Sequence, residues 1–344
     1  MSASQTVAQL REIAKSLNLT GYSKLKKAEL IELIEKNKNK DIDIKMNDDT
    51  VYYGTKKCDK CNKNKAYWFT NKGYYCGVCS RSIKDRVELP KNEQIKQQLR
   101  DAELATHNQS ILDKMTYNAE RKLEGIVIMT KMYMMKDPDL IPGVLNIFPN
   151  YKHGNRKDGL GMPSLSPKWM GPIKHNQSGL PEAKSLENMF QYNKCFSNEV
   201  DELGNIKQEF FNTQIKGYLD ETPHRHKPNA SGNVPLFSVW KDKKGKIYRL
   251  SYIESRQIYC HYYMLFAVAN ENFIKLKALV KSGYNINICG YDAYTVEMGN
   301  KNIDEYVEEK YLDPSKPFGH EIVLFALLLC KNVFPWIKYK TLDL

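Results

Sequence analysis

Four cysteines in the arrangement Cys58-x2-Cys61-x14-Cys76-x2-Cys79 constrain this chain more than any other feature it carries. Two tight knuckles bring four thiolates to one point, the donor count and pairing of a closed tetrahedral zinc site, with a central spacing of 14 just under the usual range of about 15–20. Such a site leaves no coordination position open, so the Zn2+ it holds is expected to be structural. Tyr67, Trp68, Phe69, Tyr74 and Tyr75 lie between the knuckles and can form the small apolar cover a ribbon needs. Neither pair sits in a strand–helix thioredoxin pattern, which argues against a redox role. Lys56, Lys57, Lys60, Lys63, Lys65, Arg81, Lys84 and Arg86 surround the quartet. That basic halo, mixed with aromatics, suits contact with phosphates and bases, and a protein-docking ribbon is the alternative.

A ribbon of residues 55–86 accounts for little of a 344-residue chain, so the sequence predicts several units. The four cysteines outside the quartet are scattered through the second half, which points to a reducing compartment rather than a disulfide framework. Lys and Arg number 52 against 40 acids, a formal charge of +12. The excess favours polyanionic partners through counterion release, with plain solubility as the competing explanation. The longest apolar run, residues 322–330, is about half of the ~18–20 residues a bilayer span needs, so a soluble, intracellular protein without a membrane partner is expected.

Ahead of the ribbon, Val7, Leu10, Ala14 and Leu17 follow three-four spacing, residues 18–21 break it, and Leu30, Ile31 and Ile34 resume it. Two short helices over 5–40 follow, then a polar linker over 41–54. Lys24, Lys26 and Lys27 cluster at the start of the second helix, where free N–H groups and the dipole also attract phosphate, and Arg11 adds a cation on the first. A lysine-rich solvated face is the other explanation. Residues 7–31, with a helix, a Gly-centred turn and a basic entry into a helix carrying Leu30-Ile31, resemble the SAP motif and the module at the front of the transcription terminator Rho. The resemblance implies DNA or RNA binding.

Behind the ribbon, residues 87–144 are rich in Gln, Lys, Glu, Leu and Met until Pro138 and Pro142, and read as a helical connector. From 145 to 344 Pro, Gly, Trp and Tyr become frequent between helix-like runs, which predicts one mixed, mostly helical α+β domain. Within it, Ser185-Leu186-Glu187-Asn188 through Gln191 and Lys194 resembles the Ser-x-Glu-His-x-x-Gln-x-x-Lys signature of YbiA/NADAR-type N-glycosidases. Further stretches are similar in the family's order: Tyr252 to Gln257, Leu276 to Gly283, residues 290–294, and Phe318-Gly319-His320. Carried over, the resemblance implies Glu187, Asp292 and Tyr252 as catalytic residues and Gln191, Lys194, Arg256 and Tyr294 as substrate-binding ones. Asn188 stands where the family has His, and Thr295 where it has a second Trp.

The chemistry is coherent, because breaking an N-glycosidic bond builds positive charge on the ribose. One carboxylate can stabilise that cation while another acid orients or deprotonates water. Tyr252, Tyr291 and Tyr294 can stack on a base, and Arg249 or Arg256 can pair with a phosphate. His224-Arg225-His226, between prolines, reads as a solvated loop; His153 and His175 show no partner, and His261 reads as a packed helix residue. No Gly-rich phosphate loop or nucleophile elbow occurs.

These expectations combine into a nucleic-acid-binding protein whose C-terminal domain hydrolyses ADP-ribosyl or related N-ribosyl adducts. The alternative is a non-enzymatic DNA-binding protein in which that domain is an inactive interaction platform. The module order, with its many Lys and Asn, is also similar to SAP-domain proteins of iridescent and other large DNA viruses. That similarity implies work in the host nucleus, a cytoplasmic viral DNA compartment or the virion.

Overall fold

The computed structural model describes residues 7, 11, 25–31, 56–70, 72–83, 86–88, 92–134, 136–226, 234–296 and 302–344, with only the backbone of Glu88, Asn92 and Gln94. The expected phosphate contact Lys24 and the expected linker over 41–54 lie outside these residues. The chain divides into two compact units, residues 1–99 and 100–344.

In the first unit, residues 27–31 are helical and Leu30 is fully buried. Glu29 caps this turn by accepting the Lys26 N–H at 2.7 Å, which satisfies one of the donors a helix start leaves free. The ribbon that follows is three antiparallel strands, β1 (Trp68–Thr70), β2 (Gly73–Tyr75) and β3 (Val87–Glu88), in the order β2-β1-β3. Asp59 ties the first knuckle to this sheet: its N–H donates to the Tyr74 carbonyl at 2.8 Å and its Oδ2 accepts the Tyr74 N–H at 2.7 Å. The turn into β2 needs glycine, because Gly73 has φ +139° and a Cβ there would lie 2.6 Å from Asp59 Oδ2.

The second unit opens inside a long helix, α1 (Asn92–Glu120), whose buried residues Leu104, His107, Ile111 and Asn118 fall on one face at helical spacing. Next come β4 (Val127–Lys131), β5 (Val144–Phe148) and β6 (Leu160–Gly161). Then follow α2 (Leu186–Tyr192), β7 (Lys194–Cys195), α3 (Gln208–Leu219), β8 (Phe237–Lys241) and β9 (Ile247–Leu250). The chain continues through α4 (Tyr252–Val268), α5 (Glu271–Lys281), β10 (Asn285–Gly290), α6 (Ile303–Leu312), α7 (His320–Leu329) and α8 (Pro335–Lys338). Strands β7, β8 and β9 form a small antiparallel sheet, whereas β4-β10-β5-β6 is parallel throughout.

The expected α+β content is present, but the expected boundary at 145 moves. Strand β4 lies within the stretch predicted as a helical connector, and it pairs with β10, so its hydrogen bonds belong to the larger unit. The Gly- and Pro-bearing loops on either side of β4 hid so short a strand beside a long helix.

Every residue of β10 is buried, and its two faces solve burial differently. Ile286 and Ile288 enter the main core with α4 and the apolar helix α7. On the opposite face Asn285 accepts the Ile126 N–H at 3.0 Å and meets Asn118 of α1 at 3.3 Å, while Asn287 donates to Asn146 at 2.9 Å. A polar strand face can be buried only if its amides find such partners. Among the described residues no helix is long and apolar enough to cross a membrane.

Ile288→Ala should destabilise the larger unit by about 3 kcal/mol, the scale of a core cavity that cannot collapse. Urea unfolding followed through the buried Trp240 and Trp336 measures this, and a midpoint equal to wild type would show that the β10 core face is not a main source of stability.

Candidate functional site

The cleft is built around the short helix α2. Ser185 caps it by accepting the Asn188 N–H at 3.1 Å, which fixes Glu187 in the first turn and Gln191 one turn on. Gln191 Nε2 donates to Glu187 Oε1 at 3.1 Å, and Gln191 Oε1 accepts from Lys194 Nζ at 3.0 Å. Glutamate, glutamine and lysine therefore form one oriented chain along the helix and its exit. Strand β10 delivers the other acid: Asp292 follows its carboxyl end, the edge where parallel sheets present ligands.

Glu187, Asp292, Gln191, Lys194, Tyr252 and Arg256 all line a single cleft of about 530 Å³, closed on its other sides by Phe190, Tyr259, Phe318 and Gly319. The volume is that of a nucleotide-sized ligand site. Burial pulls the Lys194 ammonium down to about 8, with Glu187 and Asp292 opposing that fall and Arg225 adding to it. Its Nζ also lies 4.7 Å above the Phe190 ring. Burial, reinforced by Glu187, holds the Tyr259 phenol well above its ordinary range, so the cleft wall offers a neutral hydroxyl at pH 7.

Two sequence-predicted substrate residues do other work. Arg256 is 2% exposed, and its terminal nitrogens donate to the carbonyls of Lys310, Tyr311, Asp313 and Lys316. Its guanidinium lies 4.6 Å from the Tyr252 ring, so it supports the wall and stitches the chain beyond α6 rather than presenting a free fork to phosphate. Tyr294 is not among the cleft-lining residues; its hydroxyl donates to the Pro317 carbonyl at 2.6 Å and so anchors the strip that carries Phe318 and Gly319.

The predicted solvated loop at His224 also differs. His226 is 7% exposed and pairs with the buried Glu199 at 2.8 Å, His224 Nε2 lies 2.6 Å from the Tyr192 hydroxyl, and Arg225 and His226 line the cleft. Asn188, the departure from the family pattern, sits on the far side of α2. Its Nδ2 donates to the Asp220 carbonyl at 2.9 Å and its Oδ1 accepts the His224 N–H at 3.0 Å, which pins this loop.

Sequence reasoning missed Glu321 at the start of α7. It is 1% exposed, and burial, opposed by His320 and reinforced by Asp292, raises its carboxyl above the ordinary range. Glycines make room for it: a Cβ on Gly290 would lie 1.9 Å from Glu321 Oε1, and one on Gly319 would lie 2.8 Å from Oε2 and 2.7 Å from Asp292 Cβ. His320 Nε2 meets the Pro149 carbonyl at 3.1 Å and so carries a proton, leaving Nδ1 to face Glu321 Oε2 at 3.2 Å. The residues Gly290, Gly319 and an acid ahead of an apolar helix were the signal that could have found it.

In the first unit the ligand atoms of Cys58, Cys61, Cys76 and Cys79 all lie within 4.8 Å of one another, with Cys61 and Cys76 Sγ 4.0 Å apart. Four thiolates around one ion at ~2.3 Å would stand roughly 3.8 Å apart, so the quartet can hold a metal ion after a small contraction. The Cys79 N–H, 3.4 Å from Cys76 Sγ, is the first cause that draws the Cys76 thiol down to about 6, and the Asn64 amide at 3.7 Å adds to it. Cys79 moves the opposite way, to about 12, chiefly through its hydrogen bond to Cys76. The two shifts describe one fact: Cys76 and Cys79 share a hydrogen bond that favours the thiolate on Cys76 and disfavours a second one on Cys79. Arg11 is helical and exposed, Lys26 is exposed and Lys27 half-buried.

Compared with known families, residues 3–41 match the Rho termination factor, N-terminal domain, which makes this an SAP-like module of the nucleic-acid-binding kind. No curated protein and no solved structure matches the chain.

Lys194 gives the larger unit a testable pH dependence. Folded, it releases its proton near pH 8; unfolded, near 10.5. Between those values the unfolded state holds more protons, so the stability lost to burying this cation is regained as pH rises. Relative to wild type, Lys194→Met should therefore have its largest stability advantage at pH 7 and lose most of it by pH 10, and parallel stability curves would contradict the assignment.

Proposed function

We propose that this protein binds nucleic acid through its Rho-like N-terminal module and hydrolyses an N-glycosidic bond of a ribosyl adduct, of the ADP-ribosyl class, in the cleft of its larger unit. The observation that carries the second half is the convergence of Glu187, Lys194 and Asp292 on one nucleotide-sized cleft. Such a constellation divides the work of glycoside cleavage. Glu187, oriented by Gln191, stabilises the ribosyl cation. Lys194, protonated below about pH 8, donates to the departing nitrogen. Asp292, exposed at the mouth, takes the proton of the attacking water. Tyr252 and Phe190 flank the ring system, and Arg225 replaces Arg256 as the cation for a phosphate.

Tethering favours this combination, because a module that holds a nucleic-acid strand raises the local concentration of any adduct on it. The competing reading, a binding platform without turnover, draws on the commitment of Arg256 to backbone carbonyls. Both are separated by incubating the full chain with ADP-ribosylated oligonucleotide and following release of ADP-ribose. Wild type should turn over, and Glu187→Gln and Asp292→Asn should each lose about a hundredfold or more, the range of a removed acid–base or electrostatic group. No turnover by wild type, or turnover by both variants equal to that of wild type, would refute the hydrolase.

The ion of the cysteine quartet is zinc in a structural role, which four thiolates closing the coordination sphere favour. Metal analysis of purified protein should return about one zinc per chain, and Cys76→Ser should lower it severalfold. Protein that carries no zinc would remove the site from the account.

A further inference from the structure

The face of the ribbon sheet that looks away from Arg86 has no role so far. Cross-strand partners share a face, and Phe69 of β1 is opposite both Tyr74 of β2 and Val87 of β3. The three side chains therefore form one row across the sheet. Phe69 is 37% and Val87 55% exposed, and the Phe69 and Tyr74 rings are 6.5 Å apart and tilted by 34°. On the opposite face Trp68 is covered: Arg86 lies 4.8 Å above its ring and bonds the Ser80 carbonyl of the second knuckle.

Charge defines what the open row can take. Residues 56–88 hold nine Lys and Arg against three acids, half of the formal +12 of the chain. Lys56 Nζ stands 4.3 Å above the Tyr74 ring, so a cation is already fixed at the end of the row. Lys57 and Lys65 face each other directly across an antiparallel bridge, a like-charge pairing that costs stability unless an anion comes between them. A sheet with exposed aromatic surface and repelling lysines beside it matches a ligand that alternates flat bases with phosphates. Only an unpaired strand offers base faces, since a duplex hides them in its stack.

We infer that the Tyr74–Phe69–Val87 face of the ribbon is a single-stranded nucleic-acid site, in which a base stacks on Phe69 and the adjoining phosphates bind Lys56 and the Lys57–Lys65 pair. The site is separate from the Rho-like module and does not rest on the glycosidase reading. Its ligand needs no particular base, because every base has a π-face and the lysines read only the backbone.

The test uses the full chain and a labelled oligothymidylate of about twelve nucleotides, with a duplex of equal length as comparison. Phe69→Ala should weaken single-strand binding about tenfold, the scale of one lost base stack, while duplex affinity stays as in wild type. Lys57→Gln with Lys65→Gln should flatten the salt dependence of single-strand binding. Residues 3–41 supply a constant background in all these variants. Unchanged single-strand affinity in Phe69→Ala that retains its metal overturns the proposal, as does an equal loss for the duplex. Should Phe69→Ala lose its metal, Phe69→Trp decides: quenching of the new indole by the oligonucleotide supports stacking, and emission unaffected by saturating oligonucleotide overturns it.

Discussion

The pairing of β10 between β4 and β5 is the constraint on which the larger unit depends. Strand β10 is buried on both faces, with Ile286 and Ile288 in the main core and Asn285 and Asn287 hydrogen-bonded on the other face, where Asn287 Oδ1 and Asn146 Nδ2 are left without a partner among the described residues. Once it is held in register, Gly290 and Asp292 have only one place to be. Gly290 admits the Glu321 carboxyl from α7, and Asp292 emerges at the carboxyl edge beside Gly319. The acid at the cleft mouth and the buried acid behind it are thus consequences of one ladder of hydrogen bonds.

The cleft shows how similar groups acquire different properties from different hydration. Asp292 is exposed, Glu187 is half-buried and bonded to Gln191, and Glu321 is sealed beneath two glycines. Lys194 is the counterweight, since both Glu187 and Asp292 help to keep its ammonium charged against burial.

The ribbon meets a different physical problem. Its sheet of short strands buries little apolar surface, and an ion held by Cys58, Cys61, Cys76 and Cys79 would take the place of a core, its binding energy becoming folding energy. One face of that sheet carries the exposed side chains of Phe69 and Val87.

Much of the site was legible in the residues themselves. The Cys-x2-Cys pairs are a local pattern, and Glu187, Gln191, Lys194 and Asp292 stand in short stretches that resemble a family signature; such patterns survive in one dimension. What spacing could not assign was which partner each long side chain would meet. Arg256 was expected at a phosphate and instead donates to carbonyls more than fifty residues away; His226 was expected in water and instead meets Glu199; and β4 was expected in a connector and instead pairs with β10. Residue type at short range was enough to name the four cysteines as candidate metal ligands and to mark the Rho-like front module, while the candidate acids came from a family resemblance. That Glu187 and Asp292 share a cleft, that Arg225 lines it without the carbonyl ties of Arg256, and that Glu321 lies behind them were fixed by folding, because burial and hydrogen-bond partners come from chain segments far apart in sequence.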